Sequence, residues 1–483
     1  MLESRSRRAP RRSQSQSMPE RRRQQRGGAT SGSSSNAPSS SSLAISHRWR
    51  WRQFLTDPLM CYYLFIAVVL LLTFLGVIMV FSSSTVDLLS DGESPYTQLI
   101  RQGAYAVVGI ATAVALSFVN AKHFPKWAFW ILVAAGLLQA LTLTHLGRDA
   151  GGNGGWLALG PIEFEPAEIL KFSLCLWMPF AITVGKKRSV EHEGKVSGGK
   201  SFAVALVACF LSFILVMLGG DLGTGVILLM ICAVAVFVGG LDIKQFWGGI
   251  VVVAAMVILL FVAHSSNRMR RIMAAYTGCE AKGAAQGVCY QVIHGQYALA
   301  SGGFFGVGLG ASREKWDYLP EARNDFIFAI IGEELGFVGA VIVILCFVLL
   351  GWCLINVALR MPNHPYERLV LVCVAAWTCG QATINILVVL QLLPVIGLPL
   401  PYISAGGTAL ISNLAAAGVC VSMMRQQDDI KRVLGSAAAA NAKKKKAKKQ
   451  QHRHHRMTGR TQGEQAREEG KHGYRSNSRG TGK

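Results

Sequence analysis

The sequence predicts an all-α integral membrane protein, a polytopic bundle of about ten transmembrane helices with one large extracytoplasmic loop between spans seven and eight. Three observations lead there. Of the 483 residues 51% are hydrophobic and only 16% charged, too apolar for a soluble chain of this length. The apolar residues gather into runs of about 20, the length that crosses a bilayer as helix. The net charge of +22 is confined to the ends: residues 1–58 carry +9 and residues 425–483 carry +12, leaving +1 on the 366 residues between.

Residues 1–58 are rich in Arg, Ser and Gly, and residues 425–483 carry Lys443 to Lys446, Lys448, Lys449 and a His/Arg cluster at 452–456. Neither has the apolar residues to offset the entropy of ordering, so both read as disordered basic arms. Anionic membrane lipid is their expected partner, not nucleic acid, because no folded reader accompanies the charge. The apolar run from Met60 through Phe81 lacks a small-residue cleavage site and reads as an uncleaved anchor.

The expected spans are 59–81, 100–119, 126–145, 166–184, 201–219, 222–239, 246–264, 326–352, 369–392 and 406–424, together a domain of residues 59–424. Lys122, Lys126, Lys186, Lys187, Arg188, Lys195, Lys200, Lys244, Arg360 and Arg368 all fall in loops on one side, with the two tails. Positive charge marks that side as cytoplasmic, and an even number of spans returns both termini to it.

The loop 265–325 then lies outside, yet it carries Arg268, Arg270, Arg271, Lys282, Arg313, Lys315 and Arg323. A loop of about 60 residues is near the length at which the charge rule lapses. The functional alternative is a cationic surface for an anionic group such as a lipid diphosphate, which Arg suits by its bidentate geometry. Nine of eleven cysteines lie in spans or at a span's edge, where Cys acts as a small apolar residue. Cys279 and Cys289 share the outer loop, on the oxidising side, and are expected to form a disulfide. No metal or redox spacing is present.

Residues 297–339 are the richest in chemistry. Gly302, Gly303, Gly306, Gly308 and Gly310 suit a loop or broken helix whose backbone approaches something closely. Asp317, Glu321 and Asp325 are spaced four apart, but Pro320 argues against one continuous helix through them. Asp325 immediately precedes an apolar run, so it reads either as a helix N-cap or as a general base facing a polar cavity. Glu333 and Glu334 lie inside span eight, where ionisable groups are costly; Lys171 in span four is a candidate partner. Asp221, before Leu222-Gly223-Thr224, reads as a cap.

The stretch YLPEARNDFIFAIIGEELGFVG resembles the signature of the SEDS family, the shape, elongation, division and sporulation proteins FtsW, RodA and SpoVE. Further blocks follow the family's order: Trp156 to Gly160, Glu165-Pro166-Ala167-Glu168 through Lys171, Asp221 to Thr224, and Leu398 to Ser404 with Gly406-Gly407. Tyr318 and the full Ala-Ile-Ile-Gly-Glu-Glu-Leu-Gly bring the resemblance nearer FtsW than RodA. Asn324, Gly155, Gly220, Glu165, Ala167, Ala405 and Thr408 depart from the usual Thr, Arg, Pro, Gln, Ser, Tyr and Ser.

The resemblance implies a peptidoglycan glycosyltransferase that polymerises lipid II into β-1,4 glycan at the outer face of the bacterial plasma membrane, at the division septum. The donor is α-linked to a lipid diphosphate and the product β-linked, so one in-line displacement suffices. That step needs a base for the acceptor hydroxyl and positive charge for the departing diphosphate. Asp325 is the expected base. Arg268, Arg271, Arg313 and Lys315 are candidate diphosphate contacts, with Asp317, Glu321, Lys171 and Trp156 as further candidates for substrate binding. No tightly bound cofactor is expected; a divalent cation, Mg or Mn, is compatible with the chemistry. The implied partners are a class B penicillin-binding transpeptidase of the FtsI type and other division proteins. The alternatives are a lipid II flippase, an elongation-type polymerase of the RodA kind, or a scaffold that only recruits a synthase.

Overall fold

The computed structural model describes residues 56–90, 92–150, 153–159, 162–191, 200–258, 288–316 and 318–436. Its helices are α1 (Pro58–Ser90), α2 (Thr97–Phe118), α3 (Phe124–Leu141), α4 (Pro166–Glu191), α5 (Lys200–Leu218), α6 (Leu222–Val238), α7 (Ile243–Val257), α8 (Val288–Ser301), α9 (Ile327–Leu359), α10 (Pro365–Val389) and α11 (Gly407–Met424). Seven helices are long and apolar enough to cross a membrane, and α5, α6 and α7 supply shorter apolar ones. Each of the ten predicted runs thus coincides with a helix over most of its described residues. Loop 265–325 lies outside the described residues up to residue 287, with Arg268, Arg271 and Cys279; so does Asp317.

Local signals set the ends. Asp57 Oδ1 accepts from the Leu59 amide at 3.1 Å, with Pro58 at the first helical position of α1. Asp221 Oδ1 accepts from the Thr224 amide at 2.9 Å and caps α6, as its place in the sequence predicts.

The bundle is organised around α4, α10 and α11. Helix α11 packs against α2, α4 and α10, while α9 packs against α1 and α10. Gly418 of α11 meets the backbone of Ala113 on α2, a close approach that a side chain would block. Helices α2 and α3 keep large exposed apolar residues, among them Val107, Phe118, Trp130 and Leu137, the pattern of a lipid-facing surface.

Two features depart from the expected all-α body with tails. Strands β1 (Gly147–Ala150), β2 (Asn153–Leu159) and β3 (Ile162–Phe164) form an antiparallel sheet in the order β1-β2-β3, with Trp156 opposite Arg148 and Leu157 opposite Phe164. Alternating residues on either side of Gly160-Pro161 were its signal. The C-terminal tail also begins later than residue 425. Arg425 reaches Tyr62 Oη at 3.1 Å and the Ser117 carbonyl at 2.8 Å, and residues 428–436 are helical with Ile430 buried.

Helix α9 is broken inside its apolar run. Gly336 has φ +70°, a conformation strained for a residue with a Cβ. The glycine-rich segment after α8 threads past this break. Val307 and Gly308 amides donate to the Glu333 and Glu334 carbonyls at 2.9 and 3.1 Å, and the Phe337 and Val338 amides donate to the Gly303 and Phe304 carbonyls. Gly306 and Gly336 meet backbone to backbone. The predicted close approach of the glycine run is thus to α9 itself, and it satisfies polar groups that a break in an apolar environment would orphan.

Candidate active site

Asp325 stands in a turn at the head of α9. The N-cap is Phe326, whose side chain makes no capping bond, so the capping role expected as one alternative for Asp325 falls one residue away. Glu321, at φ +56°, shapes the turn: its carbonyl accepts from the Asn324 and Phe326 amides at 3.0 and 3.3 Å, and its carboxylate from Asn324 Nδ2. Residues 318–326 are turn, so Glu321 and Asp325 do not share a helical face, as Pro320 foretold.

The segment 393–406 is stitched beside this turn. Asn385 Nδ2 of α10 donates to both the Asp325 and Leu398 carbonyls at 2.7 Å. Ser404 Oγ donates to the Asn324 carbonyl at 2.7 Å, the Ala405 amide donates to the Arg323 carbonyl, and Gln102 of α2 donates to the Ser404 carbonyl. Asp325 Oδ2 comes within 3.4 Å of where a Cβ on Gly397 would stand, and Gly397 has φ +71°. Tyr402, buried, and Gln391 also hold left-handed φ values of 65° and 61°; such strain persists only where surroundings over-determine it.

Lys171 and Glu168 of α4 pair at 2.7 Å with both side chains fully buried. Lys171 Nζ also donates to Gln381 Oε1 at 3.1 Å, and Gln381 Nε2 donates to the Pro399 carbonyl at 2.8 Å. Lys171 was expected to serve Glu333 or Glu334. It serves Glu168 instead, because the two share the first turns of one helix and α10 closes over them.

Glu333 and Glu334 have other partners. Ser82 Oγ of α1 donates to Glu334 at 2.6 Å, and Lys315 Nζ lies 3.2 Å from Glu334 Oε1. Ser312 Oγ and the Arg313 amide donate to Glu333. Lys315 is buried here and also donates to the Gly310 carbonyl at 2.7 Å. It therefore anchors the glycine-rich segment and is withdrawn from the surface where a diphosphate contact was expected. Arg313 is exposed. Trp156 is half-buried on β2.

Glu165, directly before α4, was not among the candidates. Its amide donates to Thr408 Oγ1 at 3.2 Å. The residue is half-buried where α4 begins. That burial, then Glu168 and Asp221, with Asp325 adding, hold the carboxyl well above the usual carboxylate range against the pull of Lys171. Glu165, Glu168, Asp221 and Asp325 thus form one acidic neighbourhood. Gln381 and Asn385, four apart on α10, were also missed; two polar side chains in an apolar span were the available signal. Among the described residues no three His, Cys, Asp or Glu are grouped to hold a metal.

Cys289 is disulfide-bonded, as the outer-loop reading expects; Cys279, its expected partner, lies outside the described residues. Cys175, Cys209, Cys232, Cys346, Cys353, Cys373, Cys379 and Cys420 are free thiols.

Fold and site together define a multi-pass membrane protein with an acidic recess where α4, α6, α9 and α11 begin and α10 ends. Residues 62–429 match the family described as cell cycle protein, that of FtsW, RodA and SpoVE, and the chain belongs to it. It is 33% identical to stage V sporulation protein E of Bacillus subtilis over 75% of this chain and 96% of that protein. It is 32% identical to the probable peptidoglycan glycosyltransferase FtsW of Mycobacterium tuberculosis over 79% of this chain and 71% of that one. Among solved structures, a chain of a peptidoglycan synthase complex that coordinates polymerization and crosslinking superposes with a TM-score of 0.58 at 24% identity, covering 76% of this chain and 97% of that one.

Proposed function

We propose that this protein polymerises lipid II into β-1,4 glycan strands, as an inverting glycosyltransferase with Asp325 as general base. The observation that carries the reading is the placement of Asp325: a carboxylate on a turn pinned by Asn385 and Ser404, at the end of the bundle that the basic loops mark as external. Family membership and relatives named peptidoglycan glycosyltransferase support it.

In this mechanism the acceptor hydroxyl gives its proton to Asp325 as its oxygen attacks the anomeric carbon in line, and the bond to the diphosphate breaks. Arg313, exposed on the segment between α8 and α9, and Arg268 and Arg271 of the outer loop are the candidates to meet the departing charge. Lys171 holds the recess together through Glu168 and Gln381. We place both termini in the cytoplasm and the enzyme at the division septum, working with a class B penicillin-binding transpeptidase; the synthase-complex neighbour supports such a partner.

Purified protein incubated with lipid II tests the reading. Glycan strands from the wild type and none from Asp325→Asn are expected. Folded wild-type protein that moves lipid II across vesicles without making glycan would be a flippase.

A further inference from the structure

Helix α8 carries an aromatic ladder beside the turn that holds Asp325. Tyr290, His294 and Tyr297 stand at i, i+4 and i+7, one face of the helix over about two turns. The His294 ring centroid lies 4.2 Å from that of Tyr290 and 5.6 Å from that of Tyr297, which meets it edge-on. Tyr318, on the turn itself, stacks on His294 at 5.8 Å with the ring planes 19° apart. Glu314 Oε2 lies 2.6 Å from His294 Nδ1, and both side chains are largely buried. Tyr297, Trp316 and Tyr318 are each more than half exposed.

The ladder and Asp325 share one support. On the neighbouring face of α8, Gln291 Nε2 donates to the Pro320 carbonyl at 3.1 Å, and a Cβ on Gly295 would stand 3.0 Å from the ring of Phe326, the residue after Asp325. The Leu319 amide donates to the Glu314 carbonyl at 2.9 Å, so the segment bearing Glu314 is tied to the same turn. From the end of α10, Gln391 Nε2 donates to the Val292 carbonyl at 3.2 Å. Gln391 holds its left-handed φ of 61° at that joint.

The make-up of the cluster selects a ligand class. A pyranose ring has apolar C–H groups on its faces and hydroxyls around its rim. It is held by aromatic faces and hydrogen-bonding groups side by side. Tyrosine supplies an apolar body with a polar tip. Glu314 engages His294 Nδ1, which leaves Nε2 as the ring's second hydrogen-bonding atom. In either protonation state of His294 the pair carries no net positive charge, so it does not serve a diphosphate. Side chains fixed before a ligand arrives lose little freedom when it binds.

We propose that Tyr290, His294, Tyr297, Glu314 and Tyr318 form a saccharide platform that holds the β-1,4-linked N-acetylhexosamine strand beside Asp325 between additions. The proposal rests on the polymerase reading above. The number of units added before release is the ratio of the addition rate to the dissociation rate. Rings that grip the strand equally before and during the chemical step slow dissociation and leave the step itself unchanged. The platform therefore sets strand length, and Asp325 sets the rate.

The test pairs saturation-transfer NMR on the full chain in detergent, with a β-1,4-linked N-acetylglucosamine hexamer as probe, with the lengths of strands made from lipid II. Wild type and Asp325→Asn should both bind the hexamer. Tyr297→Ala and Tyr318→Ala should each weaken binding roughly fivefold and shorten strands by a similar factor, the scale of one aromatic contact. Tyr297→Phe and Tyr318→Phe keep the ring and should stay within about twofold of wild type. Both rings are exposed, so the alanine variants should melt near wild type; Tyr297→Leu, apolar but not aromatic, replaces an alanine variant that does not fold. Unchanged hexamer binding in the alanine variants, or strands of wild-type length, would overturn the platform. Unchanged binding with weakened capture of a transpeptidase would overturn it too and hand the surface to a protein partner. Strands made by a wild type that does not bind the hexamer would sink the platform and leave the polymerase reading. Hexamer bound by a folded wild type that makes no strands would do the reverse.

Discussion

Asp325 and Arg313 are where single side chains answer to single measurements. Loss of a general base costs about 10²–10⁴-fold in rate, so Asp325→Asn should drop kcat by that factor while the thermal midpoint stays near wild type; near-normal turnover in a folded variant would end its role. Arg313 is exposed, while its amide is tied to Glu333, so the backbone is anchored and the guanidinium can be removed without loosening the segment. If it stabilises charge that grows as the glycosidic bond breaks, Arg313→Gln should lower kcat more than it raises KM. A pure rise in KM would assign it to holding substrate. Lys315, two residues on and chemically similar, is not expected to behave this way.

At the scale of elements, the break in α9 explains Lys315, Glu333 and Glu334. A helix interrupted at Gly336 exposes main-chain groups inside the bundle, and the glycine-rich segment meets them. Glu334 then sits fully buried with Ser82 and Lys315, whose side chains are almost inaccessible. Removing one partner of such a pair leaves an uncompensated charge and costs roughly 3–5 kcal/mol, whereas removing both together is often close to neutral. Lys315→Met should therefore lower the melting temperature markedly, and Glu334→Gln added to it should recover much of the loss. Additive destabilisation in the double variant would show that the two act independently. A lipid path lined by Glu333 and Glu334 is not what these contacts describe, since both carboxylates are engaged by the chain itself.

For the whole molecule, charge and chemistry are segregated. The basic arms lie beyond the bundle in sequence and the recess is built from α4, α6, α9, α10 and the segment 393–406. Deleting residues 1–45 and 437–483 should leave lipid II polymerisation by purified protein within about twofold of the full chain, the range of substitutions that touch no structural feature. The cut is placed after the helix 428–436 because Ile430 is buried against the bundle. Loss of polymerisation in a folded truncation would mean that an arm reaches the site.

Much of this architecture is determined by the sequence alone. Ten apolar runs, their basic loops and the motif around Asp325 are local properties, because burying about 20 apolar residues in a bilayer is a decision each segment makes for itself. The cap at Asp221, the break in the glycine-rich region and the outer-loop cysteines are legible for the same reason. What only the tertiary structure decided is which ionisable groups meet. Lys171 pairs with Glu168, three residues away, while Lys315 reaches Glu334 and Ser82, which lies 233 residues from it in sequence. Glu165 gained its importance only when α4, α6 and the turn before α9 brought three other carboxyls around it. Charge pairing and desolvation depend on distances through space, and spacing along the chain does not encode them.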